Sequence, residues 1–368
     1  MKFRCERDLL VDRLSNSSRA VSSRGGALPV LTGMRLVADN DHLMITGSDL
    51  DLTIRSTLTV SVEEPGVAVL PARLTVDIVR SLDQGAVEIE VTGDEAKISG
   101  GRSQFSVRTL PADDFPQLAE PGGDEVTVPA ADLSAGLRQV VMAASSDDAR
   151  PILTGVLLSA EEGGLRLVAT DSYRLAVRDL PEATVLSEGQ KVLVPSRALG
   201  ELVRILGDTE VVTVRLGERE VTFDVTDEYG TTQVTTRLIE GEFPNYRQLI
   251  PSSYPNRVIV GREPLLEAVR RVKLMAREAA PLRMTLRSDS IELMAVTQDV
   301  GQAHEVVDAK FDGDELTVAF NPDYLIAGIE AAPGDEVQLE TLDALKPAVL
   351  RSTENDGFLY LLMPVRVS

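Results

Sequence analysis

The sequence predicts an α+β protein of three tandem repeats, each built from two helices and about eight strands. Three observations lead there. PVLTGMRLVA at Pro29, PILTGVLLSA at Pro151 and PLRMTLRSDS at Pro281 recur at spacings of 122 and 130 residues. VLPARLTVDIVRSL, LVPSRALGELVRIL and AFNPDYLIAGIEA recur as well, with Pro71, Pro195 and Pro322 lying 124 and 127 residues apart. Between these anchors Val, Ile, Thr and Leu alternate with charged residues, the period-two pattern of half-buried strands. Matched segments at a near-constant interval mark one structural unit per period. A length of 368 residues suits two or three domains.

Each repeat opens with an amphipathic helix. The first runs from Arg7 to about Val21, and the second follows the turn at Pro129–Ala131. The third follows Pro264 and carries Leu265, Leu266, Val269, Val272 and Ala276 at helical spacing. Proline suits a first turn, where its missing N–H would have had no partner. A turn and an alternating strand come next: HLMITGSDLDLTIRS, LRLVATDSYRLAVRDL and IELMAVTQDVGQAHEV. A strand then runs through the second proline anchor into the second helix. Strand pairs close each repeat, VEIEVTGDEAKISGG with FSVRTLPADDFPQL, VTVRLGEREVTFDV with VTTRLIEGEFPNYRQL, and VQLETL with FLYLLMPVRV. Pro-rich junctions at 121–129 and 251–258 divide the chain into 1–121, 122–253 and 254–368.

Composition removes several classes. Cys5 is the one cysteine, so neither a disulfide framework nor a thiolate metal cluster is expected. His42 and His304 stand apart from any second metal-ligand type, and no metal or cofactor is expected. The N-terminus lacks the apolar run of a signal peptide, and no apolar stretch reaches membrane-spanning length, which predicts a cytoplasmic protein. Phosphate-cradling glycine motifs and a G-x-S-x-G elbow are missing, so a non-enzymatic role is expected. The acidic pairs Asp113–Asp114 and Asp147–Asp148 could hold two metals in an α+β repeat enzyme of nucleotide or sugar metabolism. Among 58 acidic residues, solvation is their simpler role.

The formal charge of −21 argues at first against nucleic acid. Divided by predicted element, the objection weakens. The helix windows 6–24, 72–82, 131–146, 196–206, 262–279 and 322–331 carry +3 and the rest of the chain −24. Arg73 and Arg80 lie two turns apart on one face, and Arg197 and Arg204 repeat the spacing. Arg270, Lys273 and Arg277 form a third stripe; Arg24 and Arg138 add to the set. Such faces are either solvated or aimed at phosphates without reading bases. In the third repeat Tyr324 and Ala331 fall where the two arginines would be.

MKFRCERDLL, LPVLTGMRL, VLPARL, SQFSVRTLPADDFP, VATDSYRLAV, GEFPNYRQLIP and LYLLMPVR together resemble the bacterial DNA polymerase III beta sliding-clamp family, in order and over essentially the whole chain. The resemblance implies three clamp-fold domains and a head-to-tail homodimer closing a six-domain ring around double-stranded DNA. It implies the DNA polymerase III alpha subunit, the clamp loader and other clamp-motif proteins as partners. These would bind through a short peptide in a pocket between the second and third domains, which could also take a small-molecule or peptide inhibitor. Carried over, that pocket comprises Leu153, Thr170, Ser172, Tyr173, Arg174, Leu175, Pro244, Gln248, Leu249, Tyr324, Pro347, Leu361, Met363, Pro364, Val365 and Arg366. Leu175, Leu249, Leu361, Met363 and Val365 would form apolar walls; the alternative for Leu175 and Met363 is the strand core. Tyr173-Arg174-Leu175 corresponds by spacing to Leu50-Asp51-Leu52 and Val300-Gly301-Gln302. The family often has Gly-His at Ser172-Tyr173, a second Arg at Gln248, an aromatic pair at Pro151-Ile152 and a Gln at Asp147. For the subunit boundary it implies Phe105 and Val107 against Lys273 and Leu274; Phe105 could instead be buried in its own domain. A clamp-like protein that binds partners without loading onto DNA is the remaining alternative.

Overall fold

The computed structural model describes residues 1–22, 28–161, 164–181, 183–276, 280–354 and 357–366. Among these, the first repeat holds strands β1 (Lys2–Glu6), β2 (Gly33–Asp39), β3 (His42–Ser48), β4 (Leu52–Thr59), β5 (Ser61–Glu64), β6 (Gly66–Pro71), β7 (Ala86–Thr92), β8 (Glu95–Gly100) and β9 (Ser103–Arg108). Its helices are α1 (Arg7–Ser18) and α2 (Ala72–Ser81). The second repeat holds β10 (Glu125–Pro129), β11 (Gly155–Glu161), β12 (Gly164–Thr170), β13 (Arg174–Pro181), β14 (Lys191–Pro195), β15 (Val211–Leu216), β16 (Glu220–Asp227) and β17 (Gly230–Arg237), with α3 (Ala130–Val140) and α4 (Ser196–Leu206). The third holds β18 (Asn256–Gly261), β19 (Leu282–Arg287), β20 (Ser290–Thr297), β21 (Gly301–Asp312), β22 (Leu316–Phe320), β23 (Glu336–Thr341), β24 (Ala348–Ser352) and β25 (Phe358–Leu362), with α5 (Arg262–Lys273) and α6 (Pro322–Ala331). Two helices and eight or nine strands per repeat match the sequence expectation. Arg24 and Arg277 lie outside the described residues.

The strands form three antiparallel sheets. Their orders are β5-β1-β7-β8-β9, β10-β15-β16-β17-β4-β3-β2-β6, and β14-β11-β12-β13-β25-β24-β23-β18-β21-β20-β19-β22. The last strand of the second repeat pairs with the fourth of the first, Val234 opposite Ile54. The last strand of the third pairs in the same way with β13 of the second, Tyr360 opposite Ala176. The chain accordingly divides into two compact units, Met1–Ala131 with Arg197–Leu238, and Asp132–Ser196 with Ile239–Ser368. The middle repeat contributes to both.

In the first unit, α1 buries Leu10 and Leu14 and α2 buries Val76 and Val79 among Phe3, Leu36, Ile45, Ile89 and Ile98. Gly47 lets α1 approach β3: a Cβ there would meet the Ser17 carbonyl oxygen at 2.0 Å. A largely buried arginine also joins the first two repeats. Arg13 on α1 donates to both carboxylate oxygens of Asp227, at 2.5 and 2.6 Å, and to Thr232 Oγ1 at 3.2 Å. In the second unit the core gathers Leu157, Val168, Leu175, Val177, Leu193, Tyr246, Val349, Leu359 and Leu361. Pro264 occupies the first turn of α5, as expected.

Strand register corrects two sequence alignments. Met34 opposite Leu70, Val156 opposite Val194 and Leu282 opposite Phe320 are equivalent pairs. Pro281 therefore precedes its strand where Gly33 and Gly155 begin theirs, and it is not the counterpart of Pro29. Asn321, not Pro322, is the counterpart of Pro71 and Pro195. Asn321 caps α6, its side chain accepting from the N–H groups of Asp323 and Tyr324, which moves Pro322 to the first helical position. The positions of Arg73 and Arg80 are thus filled in the third repeat by Asp323 and Glu330 rather than by Tyr324 and Ala331.

Candidate functional site

The pocket residues inherited from the resemblance lie in the second unit, at the antiparallel meeting of β13 and β25. Arg174 pairs with Leu362 and Leu175 with Leu361. The turn entering β13 is built by two short polar side chains. Asp171 Oδ1 accepts from the N–H groups of Tyr173 and Arg174 at 2.9 and 3.0 Å, and Oδ2 from Arg174 Nε at 3.0 Å. Thr170 Oγ1 accepts from the Ser172 N–H at 3.2 Å and donates to the Arg174 carbonyl at 2.7 Å. Ser172 stands at φ +81°, a left-handed conformation that favours glycine.

The first repeat makes the same turn. Asp49 Oδ1 accepts from the N–H groups of Asp51 and Leu52, with Leu50 at φ +80°. Tyr173-Arg174-Leu175 therefore corresponds to Asp51-Leu52-Thr53, one residue later than spacing alone indicated. One backbone turn serves both repeats, and the side chains it presents set them apart.

Those side chains form an aromatic and cationic cluster. The Tyr173 and Tyr324 rings stack at 6.4 Å between centroids, inclined by 27°. The Arg174 guanidinium lies over the Tyr324 ring at 4.4 Å, a favourable cation–π distance. Burial opposes the Arg174 charge, but neighbouring Tyr360 and Asp171 outweigh it and hold its pKa above the usual value. Tyr360 is fully buried, its pKa pushed up mainly by that burial, and its hydroxyl donates to the Tyr324 carbonyl at 2.9 Å. Gly328 makes room for this, since a Cβ there would meet the Tyr360 ring at 2.4 Å.

The C-terminal segment is strapped alongside. Met363 N–H donates to the Tyr173 carbonyl at 2.9 Å and Val365 N–H to the Ala319 carbonyl at 2.8 Å. Tyr173 is 59% exposed, Leu249 44%, Met363 37% and Val365 36%, so these apolar groups are presented to a ligand. Leu249 sits on a 3₁₀ turn, Tyr246–Leu249, whose Tyr246 is buried with Leu175 and Leu361. Arg247 ties that turn to Glu161 at 2.7 Å. Leu153 is nearly buried on another 3₁₀ turn, Pro151–Thr154. Pro347 and Pro364 are half-buried, and Pro244, Gln248 and Arg366 are exposed.

Two of the expected walls need correction. Leu175 and Leu361 are 0% and 1% exposed, so they belong to the core beneath the groove and offer no surface to a ligand. Asp171 and Tyr360 were not anticipated. The Thr-Asp-Ser-Tyr run is a recognisable Asx-turn signal, whereas nothing in the sequence marks Tyr360 as a prop for Tyr324.

The basic helix residues fare unevenly. Arg73 and Arg138 are exposed and make no ion pair among the described residues. Arg80 donates to Ser15 Oγ at 3.1 Å. Arg197 pairs with Asp49, and Arg204 with Glu201 at 2.7 Å. Arg270 pairs with Glu267 at 3.0 Å and Glu330 at 2.7 Å, and Lys273 with Asp323. The six helices together carry +2 in a chain of −21. Among the described residues no three His, Cys, Asp or Glu side chains converge on a metal-sized site. Asp147 is instead bound to Arg150 Nε at 3.0 Å.

At the proposed subunit boundary, Phe105 is 39% exposed although its counterparts Val234 and Tyr360 are completely buried. A strand of the preceding repeat, β4 or β13, pairs beside those two; among the described residues no strand pairs with the outer edge of β9. Val107 is 6% exposed and packs in its own core, which corrects its placement at the surface. Leu274 is 74% exposed.

Comparison with known proteins accounts for the whole architecture. Residues 1–119 match the N-terminal domain of the DNA polymerase III beta subunit, 127–245 its central domain and 247–366 its C-terminal domain. The beta sliding clamps of Streptomyces coelicolor and Bacillus subtilis are 34% and 33% identical over the full length of both chains. The crystal structure of the Bacillus subtilis sliding clamp covers both chains completely with a TM-score of 0.89 at 32% identity. The Pseudomonas aeruginosa clamp solved bound to griselimycin does the same at 0.89 and 29%. The chain belongs to the DNA polymerase III beta subunit family, the beta sliding clamps.

Proposed function

We propose that two copies of this chain close head to tail into a ring around duplex DNA and tether the replicative polymerase for processive synthesis, without catalysing a reaction. The observation that carries the reading is the recurring junction. β17 pairs with β4 and β25 with β13, so the last strand of each repeat pairs with the fourth strand of the one before it. Two such edges remain open among the described residues: β9, and the second edge of β21 over residues 301–308. A heterologous contact between them in two copies satisfies both and closes. By the register of the two internal junctions, Phe105 of one copy would lie opposite Ala303 of the other.

Held topologically, DNA needs only base-blind contact. Arg73, Arg80, Arg138, Arg197 and Arg204 suit phosphates, and tight binding would oppose sliding. The exposed Tyr173, Leu249, Met363 and Val365, with Arg174 beside them, suit a short apolar motif from the polymerase alpha subunit, the clamp loader and other clamp-binding proteins. The same groove would take a small-molecule or peptide inhibitor; that the Pseudomonas relative was solved bound to griselimycin supports a ligand-binding clamp. A role on chromosomal DNA places the protein in the cytoplasm, and no described helix is long and apolar enough to cross a membrane.

Cysteines at Phe105 and Ala303 test the junction, because the native Cys5 is largely buried and burial pushes its thiol up to about 12. Oxidation should give a covalent dimer from Phe105→Cys/Ala303→Cys and none from either single variant. A double variant that stays monomeric under oxidation would refute the register.

A further inference from the structure

The third repeat reverses the charge of its second helix. Asp323 and Glu330 on α6 stand where α2 has Arg73 and Arg80 and α4 has Arg197 and Arg204. The first helix of the repeat changes in the opposite sense. Arg7 opens α1 and Arg262 opens α5, so Ser15 and Ser18 occupy the places of Arg270 and Lys273. Contacts follow the exchange. Where Arg80 Nη2 donates to Ser15 Oγ at 3.1 Å in the first repeat, Arg270 Nη2 donates to Glu330 Oε1 at 2.7 Å in the third. Lys273 Nζ is bound to Asp323, one turn further along α5 and at the start of α6. The remaining cation of that helix end, Arg271, pairs with Glu305 and Glu267. Sequence spacing alone groups Arg270 and Lys273 with the candidate phosphate-facing arginines.

We propose that Asp323 and Glu330 neutralise the α5 cations from within, so that DNA passing through the clamp is held by the first two repeats and slips past the third. The inference rests on the sliding-clamp reading. Exposed carboxylate pairs are weak, and a phosphate could displace them. Displacement would leave each carboxylate free beside the incoming phosphate, however, and exchanging one anion for another gains little. By contrast, Arg73 and Arg138 meet phosphate without first losing a carboxylate.

The test is the salt dependence of binding by the full-length protein to a short fluorescent linear duplex, followed by anisotropy at 50 and 200 mM NaCl. Asp323→Asn/Glu330→Gln should bind more tightly than the unaltered protein. Its log–log salt slope should steepen by about 1.8, so its advantage shrinks about twelve-fold between the two salt concentrations. Arg270→Ser/Lys273→Ser should stay within about two-fold of the unaltered protein, while Arg73→Ser/Arg138→Ser weakens binding and flattens the slope. The proposal is overturned if the amide variant keeps the original affinity and slope, or if removing Arg270 and Lys273 costs as much as removing Arg73 and Arg138. An unaltered protein that neither binds duplex nor stays on circular DNA refutes the clamp reading itself, and this inference falls with it.

Discussion

Replacing Phe105 by alanine should weaken self-association while leaving the fold of each chain intact. A phenylalanine presents about 200 Å², and the 39% left open here amounts to roughly 80 Å². At about 25 cal/mol per Å², covering it stabilises one junction by about 2 kcal/mol. A closed ring contains the junction twice, so Phe105→Ala should cost about 4 kcal/mol, near a thousand-fold in the dimer dissociation constant. The folded chain loses less, because the buried part of the ring lies at the edge of a five-stranded sheet whose core is Phe3, Ile89 and Ile98. Sedimentation equilibrium of both proteins, with thermal unfolding as the control, measures the two effects separately. An unchanged dissociation constant with a lowered melting temperature would show that Phe105 serves only its own repeat.

Leu175→Ala and Met363→Ala should separate stability from ligand binding. The buried Leu175 should cost about 2–5 kcal/mol in denaturant unfolding, whereas exposed Met363 should weaken calorimetric binding of a clamp-motif peptide by about 1–2 kcal/mol at unchanged stability. Gly328→Ala drives a methyl group into the Tyr360 ring, and a loss of about 1–3 kcal/mol together with weaker peptide binding is expected, since Tyr360 props Tyr324. Partial burial pushes the Asp227 carboxyl up, but Arg13 and the N–H groups of Tyr229 and Gly230 outweigh it and hold its pKa below the usual range. A depressed folded-state pKa adds stability above the unfolded value, about 3.9, and loses it as pH falls through the folded value. The melting temperature should therefore fall with acid below about pH 4, and Asp227→Asn should flatten that part of the curve.

The repeat architecture was legible because it is written in strand alternation throughout and in proline anchors shared by the first two repeats. α5 was legible from Leu265, Leu266, Val269 and Val272, all of which are buried. The third repeat misled by one residue, because proline fits both the cap position of α2 and the first turn of α6. That single step concealed the charge reversal at Asp323 and Glu330. The binding groove was only partly legible. Its residue types and order were visible, but exposure depends on which neighbouring strand covers each side chain. Leu175 and Leu361 face each other across β13 and β25 and are sealed, whereas Met363, two residues beyond Leu361, is open. The prop from Tyr360 to Tyr324 spans 36 residues and leaves no local pattern.

Retention on DNA of different topology tests the ring most directly. The labelled protein, loaded by its clamp loader onto nicked circular plasmid, should co-elute with the DNA through gel filtration. It should be released when the plasmid is cut once by a restriction enzyme. Equal retention on circular and linear DNA, or loss from both, would contradict a clamp that holds its substrate by encircling it.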